Sequence, residues 1–236
     1  MDTLNLKPIA HIHTDFPEKF GLPRQSLIVP ELTGKIIFEE EYRSPDALRG
    51  IEGFSHLWLL WGFSEGFASE KNGGFFPTVR PPRLGGNTRV GVFATRSPNR
   101  PNPIGLSVVR IERIDTESDS APLIRVSGAD MVDGTPVYDI KPYLPHVDAV
   151  PDAKGGFSSE VYGKRLAVIF ADGIREKIPQ DKLAGLIGAL EEDPRPQYQR
   201  NDGREYGFTY AGLEILFTVE SESGTLTVKS AEKTKI

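Results

Sequence analysis

Between Lys71 and Ile111 the chain carries seven cationic side chains, Lys71, Arg80, Arg83, Arg89, Arg96, Arg100 and Arg110, and no carboxylate. A guanidinium offers a planar fork of donors that matches carboxylate and phosphate oxygens. Seven cations without an acidic neighbour therefore make a segment suited to an anion. The whole chain has 28 basic and 33 acidic residues, net -5, so the residues outside this window stand at -12. The pI near 5.5 hides a concentrated positive field. Prolines stiffen the same stretch. In Pro77-Thr-Val-Arg-Pro-Pro-Arg83, Arg80 precedes a proline and is held extended, because that position avoids helical geometry. A solvated loop is the plain alternative, and the coincidence of charge with backbone stiffening favours a ligand surface.

Two other segments plant polar residues in rigid turns. Leu22-Pro-Arg-Gln-Ser26 sets a guanidinium and an amide just after a proline. Asp130-Met-Val-Asp-Gly-Thr-Pro136 supplies two carboxylates around Asp133-Gly134, which taken alone reads as a hairpin turn. Together the three segments describe a site assembled from loops on a strand scaffold. Residue types alone support binding of a polar ligand and specify no reaction.

Several chemistries are excluded or weak. There is no cysteine, which removes disulfides, thiolate nucleophiles and cysteine-ligated metals together. Arg83-Leu-Gly-Gly-Asn-Thr88 lacks the spacing of a dinucleotide or P-loop turn. His11 and His13 share one strand face and can ligate zinc as a pair, but no third ligand is evident, and a structural pair is expected; no metal site is assigned. His56 reads as a hydrogen-bonded histidine near the core. No strained nucleophile turn announces a serine triad.

The elements that must position these residues are mostly strands. Pro8-Ile-Ala-His-Ile-His13, Gly34-Lys-Ile-Ile-Phe38, Ser55 to Phe63, Arg89 to Thr95, Gly105 to Arg113 and Leu123 to Ala129 are short apolar or alternating runs bounded by turn residues. Ser44 to Arg49 has an N-cap serine followed by proline and predicts one helical turn. Beyond a linker-like stretch near Pro145 to Gly156, Leu183, Leu186, Ile187 and Leu190 fall at i, i+3, i+4 and i+7 and predict a helix, ended by Asp193-Pro194. Phe208 to Val219 and Thr225 to Lys229 read as further strands. The fold class is mainly β with an α+β appendage: an N-terminal β-barrel domain over residues 1–148 and a small C-terminal α+β domain over 149–236. The first residues lack the apolar run of a signal peptide and no stretch is long enough to span a bilayer, so a soluble cytoplasmic protein with no membrane partner is expected.

The strings Pro23-Arg-Gln25, Phe54-Ser-His-Leu-Trp58, Pro77 to Asn87, Gly91-Val-Phe-Ala-Thr-Arg-Ser-Pro-Asn-Arg-Pro-Asn-Pro-Ile-Gly105, Asp133-Gly-Thr-Pro-Val-Tyr-Asp-Ile-Lys-Pro-Tyr-Leu-Pro145 and Asp193-Pro-Arg-Pro-Gln-Tyr198 occur in consistent order along nearly the whole chain. They resemble the TrmO/TsaA-like family. The resemblance implies an S-adenosylmethionine-dependent methyltransferase, working as a homodimer. Its methyl goes to N6 of a threonylcarbamoyl-modified adenosine just 3′ of the tRNA anticodon. It further implies that the cofactor sits in a β-barrel, so the missing glycine fingerprint is no objection. A non-catalytic binding module, or a methyltransferase with another RNA or small-molecule acceptor, is the rival reading.

By the same resemblance the cofactor pocket takes Gln25, Ser26, Leu27, Phe63, Ser64, Arg96, Leu106, Ser127, Gly128, Ala129 and Asp130. Phe63 and Leu106 would form an apolar slot, Asp130 would accept from a hydroxyl or amino group, and Arg96 would hold a carboxylate. Asp139 and Tyr198 are the candidates for removing a proton from the acceptor nitrogen. Arg80, Arg83, Arg89 and Arg100 would hold tRNA phosphates, with steep salt dependence.

Overall fold

The structure is a computed structural model that describes residues 4–63, 76–81, 84, 88–159, 163, 165–195 and 202–234. Ser64, Arg83 and Tyr198 lie outside the described residues.

Strands β1 (Ala10–Thr14), β2 (Thr33–Phe38) and β3 (His56–Gly62) are joined by later strands into the barrel. A two-stranded ribbon, β4 (Thr78–Val79) with β5 (Val90–Gly91), lies in the connection after β3. β6 (Ile104–Asp115), β7 (Leu123–Ser127) and β8 (Thr135–Pro142) complete a closed barrel in the order β1-β2-β7-β6-β3-β8. Every neighbouring pair is antiparallel. Alternation sends Ile12, Ile36, Leu57, Leu59, Trp61, Val109, Ile124, Val126 and Val137 inward, where all are buried in one core. Closure gives every barrel strand a partner on each side.

Antiparallel closure has a consequence for function. The connections β1–β2 (15–32), β3–β6 (63–103) and β7–β8 (128–134) all leave from one mouth of the barrel. They are the three segments in which the sequence concentrates its polar turn residues.

The expected strand Arg89 to Thr95 is a correction. Only Val90 and Gly91 pair, and Val92–Ala94 is a 3-10 turn whose Val92 is fully buried while Phe93 is exposed. Ser44 to Arg49 forms the expected turn, as a 3-10 helix over Pro45–Leu48. Strand β8 was not read from the sequence, because Asp139, Lys141 and two prolines obscure its alternation.

After a four-residue helix α1 (Pro145–Asp148), the second unit is a four-stranded sheet carrying helix α2 (Gln180–Glu191). The sheet runs β10 (Glu205–Tyr210), β11 (Leu213–Glu220), β12 (Thr225–Lys233), β9 (Ala167–Phe170), with β9 parallel to β12. The run Phe208 to Val219, expected as one strand, is a hairpin. Ala211 and Gly212 both have positive φ, +49° and +75°, which is the two-residue turn that matches strand twist. Leu183, Leu186 and Leu190 are buried as the spacing predicts. The chain leaves α2 through Asp193 at φ +51°, and its carboxylate holds the buried Arg195 by two bonds of 2.8 and 3.1 Å. Among the described residues no helix is long and apolar enough to cross a membrane.

The core of this second unit recruits the first loop of the barrel. Phe16, Val29 and Leu32 are buried with Phe208, Tyr210, Leu186 and Leu190. Asp15 accepts from Lys182 Nζ at 2.7 Å, and the Asp15 carbonyl accepts from Ala211 N–H at 2.8 Å. Gly185 and Gly188 present bare backbone on α2 to this loop: a Cβ at Gly188 would stand 2.5 Å from Val29 Cγ1, and one at Gly185 would stand 2.9 Å from Leu32 Cδ2. We predict that Gly188→Ala destabilises the protein. Overpacking costs roughly 1–3 kcal/mol, more than the helix-propensity gain of about 1 kcal/mol. A lowered urea midpoint at unchanged slope checks this; a raised midpoint contradicts it.

Candidate functional site

Tight backbone geometry at one mouth brings the first and third loops together. Leu27 has φ +62°, in the left-handed region that costs a non-glycine residue about 1–3 kcal/mol. Its N–H donates to Gly128 O at 2.9 Å, and Gly128 N–H donates to Leu32 O at 2.8 Å. Gly128 itself has φ +74°, and a Cβ there would fall 2.5 Å from Leu27 Cδ2. Glycine is thus required for the two loops to touch. The next residues after β7, Ala129 and Asp130, carry the chain across the mouth, with Ala129 buried in the barrel core.

Asp130 is the centre of the polar network. Ser107 Oγ donates to its Oδ1 at 2.7 Å, and Trp61 Nε1 donates to Ser107 Oγ at 3.0 Å. Trp61 and Ser107 are both buried. Burial pushes the Asp130 carboxyl above its ordinary value, against the pull of Ser107, of the Asp130 and Ser26 main chains and of the Arg96 charge. The carboxylate is therefore partly desolvated yet supplied with donors, as expected of a group awaiting a further polar partner. Ser107 and Trp61 were missed in the sequence. The available signal was phase: on β6, Gly105, Ser107 and Val109 take the inward positions, and Ser107 is the polar member.

Strand β6 opens an edge beside this network. Its pairing with β7 begins at Arg110 opposite Ser127, so residues 104–109 extend past the end of β7. Val108 N–H donates instead to Ser26 Oγ at 3.2 Å. Opposed residues in an antiparallel pair alternate between bonded and non-bonded sites. Val108 faces Trp58 and Leu106 faces Leu60, two positions along, so Leu106 turns its N–H and C=O to the same open edge. The Leu106 side chain takes the outer face and is 52% exposed.

The remaining candidates divide by location. Arg96 is exposed and donates through Nη1 to Gln25 Oε1, linking the second loop to the first. Phe63 packs on Trp61 at 4.3 Å between ring centroids, and its N–H donates to Pro103 O at 3.2 Å. The Ser127 hydroxyl donates to Glu112 at 2.6 Å, which leaves main-chain groups as its means of touching a ligand. Asp139 pairs with Leu60 across a register shift in β8 and so shares the outer-face row of Leu60 and Leu106. Its Oδ2 holds Lys141 Nζ at 2.8 Å, and its Oδ1 accepts from Ile140 N–H at 2.9 Å. Arg80 and Arg89 are exposed, with Arg89 Nη1 on Thr78 Oγ1 at 3.2 Å. Arg100 is committed to the loop: its Nη1 donates to Thr95 O at 3.0 Å and Ser97 O at 3.3 Å. His11 and His13 face carboxylates, Glu39 at 2.7 Å and Asp133 at 3.1 Å.

Comparison with known proteins follows the same division of the chain. Residues 11–149 match the model of the tRNA-methyltransferase O N-terminal domain, and residues 163–234 match that of the TrmO C-terminal domain. The tRNA (adenine(37)-N6)-methyltransferase of Escherichia coli K12 is 41% identical over 218 residues, covering 89% of each chain. A Pseudomonas aeruginosa protein named provisionally as an S-adenosylmethionine-dependent methyltransferase, RcsF, is 40% identical over 221 residues, covering 90% of this chain and 91% of that one. A crystal structure of TrmO from P. aeruginosa superposes with a TM-score of 0.77 at 33% identity, covering 99% of both chains.

Proposed function

Because the chain belongs to the tRNA-methyltransferase O family, we infer that it is an S-adenosylmethionine-dependent methyltransferase acting on N6 of an adenine in tRNA. One observation carries the cofactor assignment to this mouth: a desolvated carboxylate, a stretch of β6 edge beyond β7 and an arginine converge there from two loops and a strand. These groups fit the cofactor's parts. Asp130 suits a ribose hydroxyl or an ammonium donor, the Leu106 N–H and C=O suit the edge of adenine, and Arg96 suits the amino-acid carboxylate. Gln25, Ser26, Leu27 and the Ser127–Asp130 turn would close around it, mainly through main-chain groups. The bound cofactor supplies a sulfonium methyl for in-line displacement.

The protein's own share of catalysis is then positioning, which is worth several kcal/mol when the reacting atoms are aligned. The finer reading is that the acceptor is threonylcarbamoyladenosine beside the anticodon, met by a homodimer. That nitrogen belongs to a urea-like group whose lone pair is delocalised, so it attacks once its proton leaves. Asp139, on the same outer row as Leu106, is the described candidate to take that proton, and Lys141 Nζ orients its carboxylate at 2.8 Å. Arg80 and Arg89 are the exposed cations for phosphate contact, whereas Arg100 shapes the loop.

Nucleoside mass spectrometry after incubation with methyl-labelled S-adenosylmethionine tests this. We expect label on threonylcarbamoyladenosine and none on tRNA lacking that modification. Equal labelling of both tRNAs would overturn the modified acceptor, and label on neither would overturn tRNA as substrate.

A further inference from the structure

Phe93 is 71% exposed, an unusual place for a large apolar ring, and the chain around it is built to keep it there. It is the middle residue of the 3-10 turn Val92–Ala94, and its neighbour Val92 is fully buried as the anchor. Val92 N–H donates to Pro77 O at 2.9 Å, while Thr95 returns two bonds to Val92 O, from N–H at 3.1 Å and from Oγ1 at 2.8 Å. The guanidinium of Arg100 stands 5.9 Å from the ring centroid. Because Arg100 Nη1 is fixed to the Thr95 and Ser97 carbonyls, the cation is set against the ring before any ligand arrives. Ring and guanidinium thus form one preorganised platform.

Its surroundings select the partner. From Lys71 to Ile111 the sequence has no carboxylate; Arg110 is paired with Glu112 on β6, and the other described cations of the window are Arg80, Arg89, Arg96 and Arg100. Arg96, three residues from Phe93, reaches Gln25 in the mouth of the barrel. A protein partner that covered Phe93 with apolar side chains would bury these arginines without counter-charge, which is costly. A nucleic acid brings a flat base for the ring and phosphates for the arginines.

We propose that Phe93, backed by Arg100, is the stacking platform for an unpaired nucleobase of the RNA substrate, next to the adenine being modified. This rests on the reading of the protein as a tRNA methyltransferase. Stacking a base on an aromatic ring is worth about 1–3 kcal/mol by alanine substitution, a factor of roughly 5–150 in affinity.

The test compares Phe93→Ala and Phe93→Trp with the wild type. tRNA affinity is read by fluorescence anisotropy over a salt series, cofactor affinity by calorimetry and mass by light scattering. Phe93→Ala should weaken tRNA binding within that range, Phe93→Trp should restore it, and the salt slope should not change because no charge is lost. Cofactor affinity and mass should equal those of wild type. Unchanged tRNA affinity in Phe93→Ala, with wild type methylating tRNA, overturns the platform alone. A fall in mass in Phe93→Ala also overturns it, in favour of a contact between copies of the chain. Failure of the wild type to bind or methylate tRNA would instead remove the premise.

Discussion

Asp130→Asn should weaken binding of S-adenosylmethionine by roughly 10–150-fold, the worth of about 1.5–3 kcal/mol for a hydrogen bond to a charged group. The carboxylate accepts from Ser107, and the Ser26 and Asp130 main chains help hold it ionised against burial. An amide keeps one acceptor oxygen but turns a donor toward the others. The sign of the effect on stability is opposite. The Asp130 carboxyl is raised above its ordinary 3.8, so folding favours its protonated form. The stability linked to it is fully present below the unfolded value and is lost as pH rises through the folded value. At neutral pH the ionised group therefore costs stability in the ligand-free protein, and Asp130→Asn should leave Tm equal to or above that of wild type. Wild-type cofactor affinity should fall on acidification at a pH above that expected of an ordinary aspartate, while Asp130→Asn should show a flat profile there. Calorimetric titration from pH 4 to 8, with a thermal melt of each protein, reads all of this. Equal affinity of the two proteins at pH 7 would remove Asp130 from the site.

Gly105→Val should cost both stability and cofactor affinity. Trp61 lies directly opposite Gly105, and its indole folds over the bare backbone of β6. A Cβ at position 105 would stand 2.1 Å from Trp61 Cε2 and 2.4 Å from Cζ2. Trp61 is buried inside a closed barrel, so the ring cannot move aside without disturbing its neighbours. Forcing it out costs roughly 1–3 kcal/mol or more. It also breaks the bond from Trp61 to Ser107, and with it the chain that orients Asp130. Gly53→Ala serves as the control, since a Cβ there meets nothing within 4 Å. Urea unfolding and cofactor titration should show both losses in Gly105→Val and neither in Gly53→Ala. Wild-type cofactor affinity in a folded Gly105→Val protein would contradict the Trp61–Ser107–Asp130 chain.

The barrel was legible where period and turn chemistry agreed. Ile12 and Val126 alternate with polar neighbours, and the structure sends both of them inward. The α2 face was legible for the same reason at period 3.6. The hairpin at Ala211-Gly212 was not, because Ala211 is an unremarkable residue whose positive φ is imposed by the strands it joins and by Asp15. The stretch after Val90 reads as a strand by composition, but the first 3-10 residue is pulled into the core and the second is pushed out to solvent. At the site, Arg96 and Asp130 stand out as charged residues in stiff loops. Ser107 does not, since a serine on an alternating strand declares itself only once the direction of each face is known. The packing of Val29 and Leu32 into the second unit is likewise tertiary, being decided by glycines on a helix some 150 residues away.

The most direct test of the account is the crystal structure of the protein with S-adenosylhomocysteine. Density is expected at the mouth formed by 25–27, 96 and 127–130, with Asp130 and the Leu106 main chain in hydrogen-bond contact with the nucleoside. Density at the opposite end of the barrel, or contacts that bypass both Asp130 and the β6 edge, would contradict it.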